Sequence, residues 1–227
     1  MVDFLLIHGG SHGSWCWEKV VPYLSASTEV DKVVAVDLLA DAQTVTGKVK
    51  QEITNADYVA GVVDTIERLN MRNIIIVGHS FAGITIPAVV HRVPDRIHHV
   101  SYLTTSHPSV GQSMVELMQH PLSPISRGVS RDDMFCSGLD DETANWLKSN
   151  LQEDPPLPYV EKVDFCILPD GVSATYIVCL QDMALPVCYQ MEQAKKAGVS
   201  KIVELNTGHS AFASMPEELS MLLLEDI

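Results

Sequence analysis

Three residues of this chain have the types needed for nucleophilic catalysis, and each follows an apolar run: Ser80 in IIIVGHSFAG, Asp182 in TYIVCLQD and His209 in KIVELNTGHS. A serine hydroxyl is a weak nucleophile at neutral pH. It becomes competent when an imidazole takes its proton and a carboxylate fixes the imidazole tautomer and offsets the charge it acquires. Ser80 is flanked by Gly78 and Ala82, with Gly83 directly after. A nucleophile on a sharp turn after a buried strand needs small neighbours two positions away on either side, because the following helix passes close to the strand. Ala82 departs from the usual Gly-x-Ser-x-Gly spacing by one methyl group, and Gly83 keeps the helix approach close. The backbone N–H of Phe81, at the start of that helix, is aimed where a tetrahedral oxyanion would develop. Near the N-terminus, FLLIHGGSHGSW sets HGG after another apolar run, where a second backbone donor is needed.

Other residues compete for these roles. His8, His12, His79, His91, His98, His99, His107 and His120 are alternative bases, but His209 alone lies in a loop after a late strand with an acid one strand-helix unit before it. His79 precedes the nucleophile and is expected to support the site from behind. His12 lies in the HGG loop and is expected to shape the substrate pocket. His8 and His12 have the spacing of a metal pair, yet they fall on a strand end and a loop rather than one helix face, so no metal site is expected. Asp37 ends a strand and reads as structural. Asp170 is the rival acid should the Asp182 loop point away.

The elements that must position these residues follow from periodicity. Strands are predicted near 3–7, 32–37, 73–78, 98–104, 174–180 and 200–205, alternating with helices near 15–26, 55–70, 81–92, 186–197 and 216–225. Such alternation is the pattern of an α/β fold: a mostly parallel sheet of about six strands with helices on both faces. The interruption falls at about 106–172, where Pro108, Pro121, Pro124, Pro155, Pro156, Pro158 and Pro169 break the alternation. A loop of that length needs elements of its own, so a small helical cap is predicted, with helices near 111–119, 130–136 and 140–149. Its apolar residues, Met114, Leu117, Met118, Met134, Phe135, Leu139, Trp146 and Leu147, are candidates to face the nucleophile, Trp146 among them as a substrate contact.

Composition bounds the partners. The 227 residues suit a single α/β domain over 1–227, and 46% hydrophobic residues can fill its core. A net charge of −14 argues against nucleic acid and anionic membrane, both of which would repel it. Cys16, Cys136, Cys166, Cys179 and Cys188 are odd in number and scattered, suggesting neither a disulfide framework nor a zinc site. Reduced thiols, and an N-terminus without a basic region or cleavage site, lead us to expect a cytoplasmic protein. The oligomeric state, a homodimer included, is not legible.

HGGSHGSWCW, VGHSFAG, YLTTSHPSVGQSM and the Asp182 and His209 segments together resemble the α/β-hydrolase superfamily, in the branch that holds plant methyl esterases, hydroxynitrile lyases and related bacterial esterases. The order Ser80, Asp182, His209 is also the order of that fold. The resemblance covers nearly the whole chain and implies an α/β-hydrolase fold, with Gly10 as the second oxyanion donor. It implies a cofactor-independent serine carboxylesterase acting on a small to medium, largely apolar ester. Lyases of this branch carry a threonine in the oxyanion loop and a lysine after the catalytic histidine, where its cation stabilises departing cyanide. The matching positions here are Gly9 and Ser210, which favours ester hydrolysis over carbon–carbon cleavage. A receptor that keeps the triad but turns over slowly is the remaining alternative. Because His209 must be neutral to act as base, activity is expected to fall at acid pH.

Overall fold

The computed structural model describes residues Met1–Ile227. Six apolar runs form the strands β1 (Val2–Ile7), β2 (Val30–Val36), β3 (Ile74–His79), β4 (Ile97–Leu103), β5 (Ser173–Cys179) and β6 (Lys201–Leu205). They pair in the order β2-β1-β3-β4-β5-β6, every pair parallel. Parallel neighbours need crossover connections, and these put helices on both faces. The helices in chain order are α1 (Val21–Ser25), α2 (Leu38–Thr46), α3 (Asn55–Arg68), α4 (Ile86–Arg92), α5 (Met114–Met118), α6 (Arg131–Phe135), α7 (Asp141–Asn150), α8 (Leu157–Val160), α9 (Val187–Ala197), α10 (Ala211–Ser214) and α11 (Pro216–Leu224).

The two faces bury alternate residues of the same strands. Leu5, Ile7, Ile74 and Ile76 pack against Val59, Val62 and Ile66 of α3, Val89 and Val90 of α4, and Ala194 of α9. Phe4, Leu6, Ile75 and Val77 pack on the other face with Trp17, Leu24 of α1, and Leu219 and Leu223 of α11. Strands buried on both sides must be apolar throughout, which is why β1 and β3 read as unbroken runs.

Two helical expectations change. The helix expected over 15–26 is a 3-10 turn at Ser14–Trp17 followed by α1, which begins around Pro22. The helix expected over 81–92 is likewise a 3-10 turn, Ser80–Ile84, followed by α4 with Pro87 in its first turn. In both, proline lacks the N–H an unbroken helix would use and is tolerated only at a helix start. Helix α2 was not expected; Asp37 caps it by accepting from Ala40 N–H, and Gly47 ends it at φ +69°. Asp37 is thus structural.

Register brings the site together. Ile7 pairs with Gly78, His79 with Leu103, Leu103 with Ile177, and Cys179 with Leu205, so the loops after five strands leave the sheet at one edge. Ligand sites of open parallel sheets form at this carboxyl edge. Residues 104–172, called the cap here, join β4 to β5 and carry α5, α6, α7 and α8.

Candidate active site

Ser80 sits between β3 and the following turn with φ +52°, in the left-handed region that a side chain-bearing residue rarely adopts. The neighbours explain how the turn is tolerated. A Cβ on Gly78 would collide with Ile86 and lie 3.2 Å from the Ala82 methyl, so Ala82 fits because Gly78 has no side chain. A Cβ on Gly83 would collide with the Ser106 carbonyl, whose own N–H donates to Ser80 O at 2.9 Å. Close packing of β3, the turn and the start of the cap therefore fixes where the hydroxyl points.

The Ser80 Oγ lies 3.0 Å from His209 Nε2, and His209 Nδ1 lies 2.8 Å from Asp182 Oδ2. The carboxylate accepts from Nδ1–H, which leaves Nε2 as the acceptor facing the serine. Asp182 is fixed by three further donors: Ala184 N–H at 2.6 Å and Leu185 N–H at 2.9 Å on Oδ1, and the Thr104 hydroxyl at 2.5 Å on Oδ2. Asp182 and His209 are both buried. Thr104 was not singled out from the sequence. It follows β4 at φ +42°, an uncommon conformation for a β-branched residue, and nothing in YLTTSHP signals it.

His79 is expected to support the site, and its Nε2–H donates to the His209 carbonyl at 3.0 Å. Burial pushes its pKa well below the usual imidazole value, with neighbouring His209 and His12 adding to the effect. Burial thus favours the neutral form of His79 beside His209. The loop carrying His209 is also held from the cap: Phe135 stacks on the His209 ring at 5.5 Å, Ser210 Oγ donates to Phe135 O at 2.8 Å, and a Cβ on Gly208 would collide with the Ser137 carbonyl.

Above Ser80 lies a recess with about 550 Å³ of empty space, its open mouth included, in which no charged side chain takes part. Gly10 and Phe81, the expected oxyanion donors, both line it. The Gly10 N–H has no hydrogen-bond partner within the protein, and Phe81 stands in the first turn of a helical segment, where N–H groups lack intrahelical partners. A Cβ on Gly9 would come within 2.8 Å of Ser80 Cβ, which shows how tightly the HGG loop is pressed on the turn at Ser80. Met114, Leu117, Met118, Met134 and Phe135 line the recess as expected, and Tyr159 and Tyr189 join them.

Two expected substrate contacts are corrected. His12 does not line the recess; it is buried behind the loop, donating Nδ1–H to Gly10 O at 2.7 Å, and burial lowers its pKa to about 3. Trp146 packs edge-on against Trp15 at 5.3 Å, with the Lys19 ammonium 5.0 Å over its ring. Leu147 of α7 is buried in the core on the Trp17 face of the sheet, Trp146 and Leu139 pack against the same core, and none of the three lines the recess above Ser80. Asp170 is exposed in the turn before β5, at the opposite end of that strand from Asp182, and is not the partner of His209. No group of three His, Cys, Asp or Glu residues is arranged to hold a metal ion. No helix is long and apolar enough to cross a membrane.

A family model described as alpha/beta hydrolase family matches residues 4–221. The chain is 28% identical to salicylic acid-binding protein 2 of Nicotiana tabacum over 98% of this chain and 95% of that protein. It is 26% identical to methylesterase 7 of Arabidopsis thaliana over the same shares, while another Arabidopsis methylesterase relative is longer and the chain spans 63% of it. Among solved structures, an extracellular alpha/beta-hydrolase from a Paenibacillus species superposes with a TM-score of 0.81 at 22% identity, covering 100% of this chain and 99% of that one. That likeness is one of fold.

Proposed function

Because the chain belongs to the alpha/beta hydrolase family, we propose that it is a serine carboxylesterase hydrolysing a small to medium, uncharged and largely apolar ester. Ser80 Oγ attacks the ester carbonyl as His209 Nε2 takes its proton, and the carbonyl oxygen becomes an oxyanion held by the N–H groups of Gly10 and Phe81. Asp182 stabilises the imidazolium. As the tetrahedral intermediate collapses, His209 returns the proton to the departing alkoxide, leaving Ser80 acylated. A water then gives its proton to His209 and attacks the acyl carbon; collapse releases the carboxylic acid and restores the serine.

The observation that carries this reading is the continuous chain of Asp182, His209 and Ser80, at 2.8 and 3.0 Å, opening into an apolar recess without a charged wall. A neutral ester is accepted there without desolvating an ion, whereas the acid product becomes an anion in an uncharged pocket of a chain with net charge −14 and is expelled. The methylesterase among the relatives supports the same class. A lyase reading lacks its cation: the residue after His209 is Ser210, whose hydroxyl is already given to Phe135 O. The unpaired cysteines support a reducing, cytoplasmic compartment.

A panel of methyl, ethyl and p-nitrophenyl esters of apolar acids tests the proposal. Turnover is expected, and a Ser80→Ala variant of unchanged fold should lose on the order of 10³-fold or more in kcat/KM. Equal turnover by that variant would overturn the assignment. Tight ligand binding without product would favour a receptor instead.

A further inference from the structure

The oxyanion loop is pinned peptide by peptide, and some of the pins come from the cap. The Gly9 carbonyl accepts from His8 Nδ1–H at 2.8 Å and His12 N–H at 3.3 Å. In a trans peptide the N–H opposes the C=O, so these bonds set the direction of the Gly10 N–H. The next peptide is held at both ends: Gly10 O by His12 Nδ1–H, and the Ser11 N–H by Asp154 Oδ2 at 2.6 Å. Ser11 adopts φ +62°, a strained conformation that needs such support. Gln152, two residues before Asp154, donates its N–H to Ser11 O at 2.9 Å and its side-chain amide to His12 O at 3.1 Å.

The same Asp154 oxygen accepts the Tyr159 hydroxyl at 2.5 Å. That phenol stands so close over Gly10 that a Cβ there would collide with its oxygen, and its ring packs on Phe81 with centroids 4.4 Å apart. One carboxylate thus reaches both expected oxyanion donors, Gly10 through Ser11 and Phe81 through Tyr159. Pro155 and Pro156, directly after it, restrict the backbone that carries it.

We propose that Asp154 is a positioning residue through which the cap holds the oxyanion loop in its competent conformation, a role that rests on the serine esterase reading. Asp154 does not line the recess; it fixes the Gly10–Ser11 peptide, the neighbour of the peptide that carries the Gly10 N–H, and so restrains the backbone on the far side of Gly10. Removing one oxyanion donor from an acyl-transfer enzyme costs about 10²–10³-fold in kcat, and a donor left in place but free to wander costs less.

The test compares Asp154→Ala and Asp154→Asn in the intact chain. Asp154→Ala is expected to lower kcat by about 30-fold with KM changed less than threefold, whereas Asp154→Asn, which keeps an acceptor oxygen, is expected to stay within about fivefold of wild type. Inhibition by an apolar trifluoromethyl ketone, which forms an oxyanion adduct with the serine, should weaken in parallel with kcat. Inhibition by the matching methyl ketone should not. Equal weakening of both ketones, or a kcat for Asp154→Ala within threefold of wild type, would overturn the proposal. Amide hydrogen exchange of the peptide over residues 8–13 gives a readout independent of turnover: it should accelerate in Asp154→Ala, and unchanged exchange would overturn the clamp whatever the enzyme's substrate. A wild type with neither turnover nor covalent labelling of Ser80 would instead refute the esterase reading. Should Asp154→Ala not fold, Asp154→Ser, too short to reach Ser11, carries the same expectations.

Discussion

Mild acid should strip this protein of much of its stability through histidines that it buries without charge. His12 and His107 are both buried, and desolvation lowers each pKa to about 3, from an ordinary value near 6.5. The unfolded chain takes up these protons as pH falls through 6.5, whereas the folded chain takes them up only near 3. Each group therefore contributes stability that is present above pH 6.5 and lost as pH falls toward 3. Between pH 7 and pH 5 the loss is about 2 kcal/mol for each, or about 4 kcal/mol for the pair. His8 and His79, lowered by burial as well, act in the same sense, while Asp41 and Asp154, whose carboxyls burial raises, offset part of it. A typical domain holds only about 5–15 kcal/mol, so the change is large. Urea unfolding at pH 7, 6 and 5 measures it directly, and His107→Gln isolates one contributor: its pH dependence should be shallower than wild type by about 2 kcal/mol over that range, whatever its absolute stability. Stability that changes by less than about 1 kcal/mol between pH 7 and pH 5 would refute the reasoning.

Three pairs of substitutions test the site itself. Thr104→Val removes a hydroxyl donor to the Asp182 carboxylate at nearly constant volume, so it should cost about 2 kcal/mol of stability by urea unfolding and up to about tenfold in kcat/KM, with Thr104→Ser close to wild type. Asp182→Asn should lose on the order of 10³-fold or more in kcat, whereas Asp170→Asn should be indistinguishable from wild type in the same ester assay; the reverse ranking would assign the acid wrongly. Gly83→Ala forces a methyl onto the Ser106 carbonyl and should destabilise by about 3 kcal/mol, measured by urea unfolding, against about 1 kcal/mol or less for Ala82→Gly.

What the sequence discloses and what it hides divide along physical lines. β3 was readable because a strand buried on both faces must be apolar at every position, and the abrupt change to GHSFAG marks where it stops. Helix α3, expected over 55–70, was readable because Val59, Val62, Val63 and Ile66 fall at helical spacing; the structure adds a Thr54 capping box at its start. Helix α2 was missed because LLADAQTVT buries only Leu38 and Ala42, too few to set a period. The errors at the site share one cause. His12 and Trp146 were assigned by where they lie in the chain, but whether a loop or short helix turns a side chain toward the recess depends on partners far away in sequence. Trp15 and Lys19 draw Trp146 away, and Gly10 O holds His12 behind the loop. Thr104 and Asp154 were invisible for the same reason: the bond from Thr104 to Asp182 and the bond from Ser11 to Asp154 span, respectively, 78 and 143 residues of chain.

The central claim, that Ser80 is a nucleophile activated by His209, is tested most directly by intact-protein mass spectrometry after reaction with a fluorophosphonate, comparing wild type with Ser80→Ala and His209→Ala. One adduct per wild-type chain, absent in Ser80→Ala and formed far more slowly in His209→Ala, is the expected result. A folded wild type that stays unlabelled, or labelling that persists without Ser80, would contradict it.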